Sequence, residues 1–245
     1  MSKAELARPP HAVLRVGLSG GLGAGKSTVG RLLAARGALV IDTDEVAREV
    51  LAPGTPGERA VLELFGPSVA HEDGSLDRRA LASRVFASAS DRLALEAITH
   101  PLIRKEVNAR LAALEAGAGA ANPREDAGAA ASGPTGHAGA RRRPAMVVIE
   151  IPLLDRSRRR EYDLDTVVLV EAPNDIALQR ATRRGIPKDE AIARMAAQPT
   201  TAERRAAADR VITNAGSLQE LEAQIDHVLW PWLLQKVTAC DDPAT

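Results

Sequence analysis

Five short apolar runs punctuate the chain: AVLRVGL (12–18), ALVID (38–42), AMVVIEI (145–151), TVVLVE (166–171) and RVITN (210–214). They are rich in Val and Ile and apolar on both faces, the pattern of parallel strands covered by helices on either side. Helical spacing fills the intervals. Val29, Leu32 and Leu33 fall on one side of 27–36. Leu218, Leu221, Ile225 and Leu229 recur along 217–230, which opens with Ser217 and Glu220 at capping-box spacing. Repeated strand–helix alternation predicts an α/β fold with a mainly parallel sheet.

Two regions break that alternation. Residues 43–116 contain no strand pattern but several helical ones, such as DRLALEAITHPLIRKEVNARLAAL. About seventy residues between two strands far exceeds one crossover helix, so the spacing predicts an inserted helical subdomain. Residues 117–144 are dominated by Gly, Ala, Pro and Ser. They offer almost nothing large to bury and read as a disordered insertion ending in solvated Arg141–Arg143.

Composition narrows the class. Of 245 residues, 45% are hydrophobic but only 2% aromatic, so the core must be built from Ala, Leu, Val and Ile. Basic and acidic residues number 32 each, which argues against a general nucleic-acid or membrane-surface binder. Cys240 is the one cysteine, so no internal disulfide forms, as suits a reducing compartment. No apolar leader precedes the first strand, and no run approaches the roughly eighteen apolar residues of a membrane span. The expectation is a soluble, cytoplasmic protein.

The candidate chemistry begins at GLSGGLGAGKSTVG (17–30). Gly20, four residues, then Gly25-Lys26-Ser27 matches the phosphate-loop pattern. Glycines let bare backbone wrap a ligand, and successive N–H groups and the positive end of the next helix converge on phosphate oxygens. Lys26 can reach the β- and γ-phosphates, and the Ser27 hydroxyl can sit on Mg²⁺. Asp42 and Asp44 follow the second strand, at the carboxyl-end rim where ligands gather in open α/β sheets. Asp42 also suits an N-cap. A carboxylate there can accept or orient a hydroxyl proton, which tilts the phosphoryl acceptor toward an alcohol. After the fourth strand, helical pieces separated by Gly185-Ile186-Pro187 and by Pro199 carry Arg180, Arg183, Arg184 and Arg194. They read as a hinged basic lid, with Arg184 and Arg180 the candidates for closing on a triphosphate.

GLSGGLGAGKST, VIDTDEVAREV, HPLIRKEV, EIPLL and AADRVITNAGSLQEL occur in the order and spacing of dephospho-coenzyme A kinases, which the chain resembles from about Val13 to Trp232 outside 117–144. The resemblance implies a nucleoside-kinase-like P-loop fold: a five-stranded parallel core (13–42, 145–175, 209–232), a helical CoA-binding subdomain (43–116) and a lid (176–208). It implies ATP-dependent phosphorylation of the ribose 3′-hydroxyl of dephospho-CoA, with Mg²⁺. Gly21, Gly23, Ala24, Gly25, Lys26, Ser27 and Thr28 then hold the ATP phosphates, and Asp44 takes the base position. Asp42, Arg48, His100 and Arg104 fall in substrate segments, although His100-Pro101 also fits a helix junction. No nucleic acid, membrane or obligate protein partner is implied. One departure stands out. Where the family continues from IPLL with an apolar residue and Glu, this chain has Asp155-Arg156-Ser157 and then Arg158–Arg160, which read as solvent-facing. Rival readings are another small-molecule kinase on this scaffold, acting on a nucleoside or nucleotide, and a nucleotide switch. The guanine-reading Asn-Lys-x-Asp element of a GTPase switch is absent.

If 117–144 is an outward loop, its deletion leaves the rate of the purified protein within about twofold. A folded but inactive deletion would contradict the linker reading.

Overall fold

The computed structural model describes residues 13–116, 145–152, 154 and 156–241. The insertion read at 117–144 lies outside the described residues. By contacts the chain divides into two compact units, a sheet unit and a helical unit spanning Asp42–Ala112.

The sheet contains β1 (Leu14–Gly20), β2 (Leu39–Asp42), β3 (Met146–Glu150), β4 (Thr166–Glu171) and β5 (Arg210–Thr213), in the order β2-β3-β1-β4-β5. β1 runs parallel to both β3 and β4, and β4 runs parallel to β5. Every residue of β3 and β4 is buried, which explains why neither alternates in sequence. β1 runs on past Leu18, the end of its apolar run, because Ser19 and Gly20 pair with Leu169 and Val170. That extension carries the ladder to the edge of the phosphate loop. Helix α1 (Lys26–Ala34) then lays Val29 and Leu33 on Leu14, Val16, Leu18 and Val148. Each such aliphatic side chain contributes about 1.5–3 kcal/mol when fully buried.

The helical unit holds α2 (Thr43–Val50), α3 (Pro56–Phe65), a 3₁₀ turn (Gly66–Val69), α4 (Arg78–Ala87) and the start of α5 (Ala89–Glu115). Its own core is Leu51, Val61, Phe65, Val69, Leu76 and Leu81. Thr55 caps α3 by accepting the Glu58 N–H at 3.1 Å, with Pro56 in the first turn. Glu58 is buried, and its carboxylate accepts the Gly54 and Leu76 N–H groups at 2.6 and 3.1 Å. α5 continues through Pro101, so His100-Pro101 marks no helix junction.

The rest of the sheet unit supplies α6 (Arg156–Glu161), α7 (Asn174–Arg183), α8 (Lys188–Ala196), α9 (Thr201–Ala206), α10 (Leu218–Gln224) and α11 (Trp230–Asp241). Ser217 and Glu220 form the expected capping box. The helix does not end near 230. A π turn at Ile225–Leu229 precedes Pro231, and α11 continues beyond it. A wider turn accommodates the carbonyl that a proline leaves without its N–H partner. Among the described residues, no helix is long and apolar enough to cross a membrane.

The Asp of the AADRVITN stretch is structural. Asp209 accepts the Val167 N–H at 2.8 Å, the Thr166 hydroxyl at 3.1 Å and the Arg159 guanidinium at 3.0 Å. It thereby ties the start of β5 to the start of β4. Arg159 is therefore engaged, which corrects the reading of 158–160 as a solvent-facing run. Burial pushes the Asp209 carboxyl up, but Arg159, the Val167 N–H and Thr166 together hold it below its ordinary 3.8. A carboxyl with a depressed folded value contributes stability above the unfolded value and loses it as pH falls through the folded one. Asp209→Asn should therefore cost about 1 kcal/mol at neutral pH, discounted for partial exposure. Urea melts should show that deficit shrinking once pH drops below 3.8. A deficit independent of pH would contradict the assignment.

Candidate nucleotide site

The phosphate loop is held in shape by contacts that leave no room for side chains. Gly23 and Gly25 have φ of 72° and 96°, the left-handed region that favours glycine. A Cβ on Gly23 would overlap the Ala177 carbonyl, and one on Gly25 would overlap the Asn214 amide. A Cβ on Gly20 would lie 2.7 Å from the Val170 carbonyl oxygen. Gly25 also precedes α1 with no side-chain cap. The Thr28 and Val29 N–H groups turn back onto the Gly25 carbonyl at 3.0 and 3.1 Å, and the positive end of the helix faces the loop.

Beneath the loop lies a residue that the sequence reading did not single out. Glu150, the last residue of β3, is 0% exposed. Register places it beside Leu18, two residues before Gly20. It accepts the Ser27 hydroxyl at 3.2 Å and pairs with Lys26 Nζ at 3.4 Å, both through Oε2. Oε1 lies where a Cβ on Gly30 would be, so α1 needs glycine there to admit the carboxylate. The sequence signal was a lone acid at the carboxyl end of an otherwise apolar strand. A buried charge of this kind must be paired, and removing one partner typically costs about 3–5 kcal/mol.

Asn214, also buried, closes the other side. Its side-chain amide donates to the Ala24 carbonyl at 2.9 Å. Its two oxygens accept the Arg180 guanidinium at 3.0 and 3.2 Å. Arg180 is therefore oriented by the loop that follows β5. Gly25, Thr28, Arg180, Arg183, Arg184, Asn214 and Leu218 line one cavity of about 330 Å³, open at the phosphate loop. Both arginines expected to serve the nucleotide meet there, with Arg183 added. Arg194 instead pairs with Glu190 on its own helix.

The remaining predicted residues belong to the helical unit. Asp42 caps α2, accepting the Asp44 N–H at 2.9 Å. Asp44 is exposed in the first turn of α2, and Arg48 is exposed in its last. His100 is half-buried on α5, and Arg104 lies one turn further on the same face.

Gly30 offers a direct check. Helix propensity alone predicts that Gly30→Ala gains about 1 kcal/mol. Overlap with the Glu150 carboxylate instead predicts a net loss of about 1–3 kcal/mol. Chemical denaturation decides by sign: a stabilised variant would show that Glu150 does not press on α1.

Comparison with known proteins places the chain in a family. The family described as dephospho-CoA kinase matches residues 14–120 and 137–220. A dephospho-CoA kinase of Frankia casuarinae is 47% identical over 221 residues, covering 90% of this chain and 84% of that one. One from Streptomyces avermitilis is 43% identical, covering 91% and 96%. Among solved structures, a Thermus thermophilus protein is 32% identical with a TM-score of 0.67, covering 89% of this chain and 97% of its own. A dephospho-CoA kinase from Campylobacter jejuni, 21% identical with a TM-score of 0.52, shares the fold over 91% of this chain and 96% of its own.

Proposed function

Because the chain belongs to the dephospho-CoA kinase family, we propose that it transfers the γ-phosphoryl group of ATP to the ribose 3′-hydroxyl of dephospho-CoA, giving coenzyme A and ADP. The observation that carries this reading is the phosphate loop itself, turned by positive φ at Gly23 and Gly25, followed by Lys26 and held by Asn214 on the Ala24 carbonyl. The loop N–H groups, with Gly21, receive the polyphosphate. Lys26 balances charge at the β- and γ-oxygens. The cavity of about 330 Å³ beside Arg180 and Leu218 suits the nucleoside end.

The Ser27 hydroxyl and Glu150 carboxylate are hard oxygen donors, 3.2 Å apart, and fit Mg²⁺ with its preference for oxygen and retained water. Held by Ser27 and Glu150, the ion would supply positive charge to offset the negative charge that develops during phosphoryl transfer. Asp44 accepts or orients the proton of the 3′-hydroxyl. Arg48, His100 and Arg104, with Asp42 as the cap of α2, serve the acceptor's side. Arg184 closes on the phosphates from the hinge before α8, while Arg180 stays with Asn214. The reaction needs only small molecules and belongs in the cytoplasm.

Purified protein given ATP, Mg²⁺ and dephospho-CoA should release ADP and place the new phosphate on the 3′ oxygen. Turnover of nucleoside monophosphates but not of dephospho-CoA would overturn the proposal. ADP release indifferent to any acceptor would mark a switch. Asp44→Asn should lower kcat by about 10²–10⁴ while the KM for ATP stays within about twofold. A variant that loses ATP binding and fold together would make Asp44 structural.

A further inference from the structure

The lid touches the phosphate loop through one side chain that neither the motif nor the proposed chemistry uses. Between α8 and α9, Gln198 points its Oε1 at the loop and accepts the Leu22 N–H at 3.3 Å. The same oxygen lies 2.9 Å from where a Cβ on Gly21 would sit. A side chain at 21 would have to share that space with the Gln198 amide.

The turn that carries Gln198 is braced on both sides. Arg204, from α9, donates to the Pro199 carbonyl at 2.6 Å and to the Thr201 hydroxyl at 3.3 Å. Its guanidinium carbon is 3.9 Å from the same Gly21 position. Thr200 and Glu203 form a capping box across the start of α9. Arg205 makes a two-point contact with Glu171 at the end of β4, at 2.9 and 2.7 Å. Gly21, Leu22, Glu171, Gln198 and Arg204 enclose a cavity of about 200 Å³ where lid and loop meet. The turn is thus pinned to the sheet behind it and reaches the loop through a neutral amide.

We infer that Gln198 is a positioning residue, a latch that holds the lid on the Gly21–Leu22 side of the phosphate loop during phosphoryl transfer. This rests on the kinase reading for its consequence, but not for the contact itself. An amide oxygen can accept the Leu22 N–H without bringing negative charge toward a polyphosphate; a carboxylate cannot. The latch biases the lid toward closure, keeps its arginines over the phosphates and keeps water out. ATP affinity comes instead from the loop N–H groups and Lys26, which the latch does not replace.

The test compares Gln198→Leu and Gln198→Glu in the full-length protein. Amide exchange of the segment containing Leu22, without ligand, reads the contact. Gln198→Leu should speed that exchange about tenfold with the melting temperature within a few degrees, and Gln198→Glu should preserve the protection. With ATP, Mg²⁺ and dephospho-CoA, Gln198→Leu should lower kcat about tenfold, leave the KM for ATP within about twofold and raise the share of ATP lost to water. Gln198→Glu should instead raise the KM for ATP about fivefold or more. Unchanged exchange in Gln198→Leu would overturn the latch, whatever the substrate proves to be. A fall in kcat matched by a fall in melting temperature, with no rise in hydrolysis, would also overturn it by making Gln198 merely structural. Failure of dephospho-CoA as an acceptor would leave the exchange result to decide the contact alone.

Discussion

A carboxylate sealed under a turn of backbone N–H groups is the constraint around which the sheet unit is organised. Glu150 is wholly buried, so its charge must be answered locally, and Lys26 and Ser27 answer it. These are the two side chains that the phosphate-loop pattern singles out. One interaction therefore aims the loop's functional groups before any nucleotide arrives. It also dictates sequence elsewhere, since α1 must present a glycine at position 30. A charge-assisted contact of this kind fixes direction as well as energy. Preorganised groups need not rearrange as charge develops in the transition state.

The loop's backbone is determined from three other directions. The Val170 carbonyl of β4 limits Gly20, α7 limits Gly23, and Asn214 holds both Gly25 and the Ala24 carbonyl. Asn214 also orients Arg180, so the loop following β5 joins the phosphate loop to α7. Gln198, between α8 and α9, makes a second contact with the phosphate loop. The phosphate loop is thus contacted both from the loop after β5, which also holds α7, and from the turn between α8 and α9.

Much of this was legible from residue order, and the exceptions share one physical cause. β3 and β4 declared themselves because strands buried on both faces cannot alternate, whereas β5, exposed at Val211 and Thr213, was legible from its Val and Ile alone. The glycine loop did so because its spacing follows from the size of a polyphosphate, and Ser217 and Glu220 because a cap is a local device. The contacts of Glu150, Asn214 and Gln198 were hidden because each side chain reaches across the fold, to groups far away in sequence. Only strand pairing, Leu18 beside Glu150, reveals that an acid in an apolar run lies under Lys26. Arg159 read as solvated because its partner, Asp209, lies fifty residues further on. The helix past 230 was hidden by Pro231, which propensity treats as a stop but tertiary packing tolerates.

The most direct measurement is a crystal structure with Mg²⁺ and a non-hydrolysable ATP analogue. The account predicts phosphate oxygens within hydrogen-bonding distance of the N–H groups of 23–28. It also predicts Lys26 Nζ moved from Glu150 onto a phosphate oxygen. A polyphosphate bound elsewhere, with Lys26 and Ser27 still resting on Glu150, would contradict it.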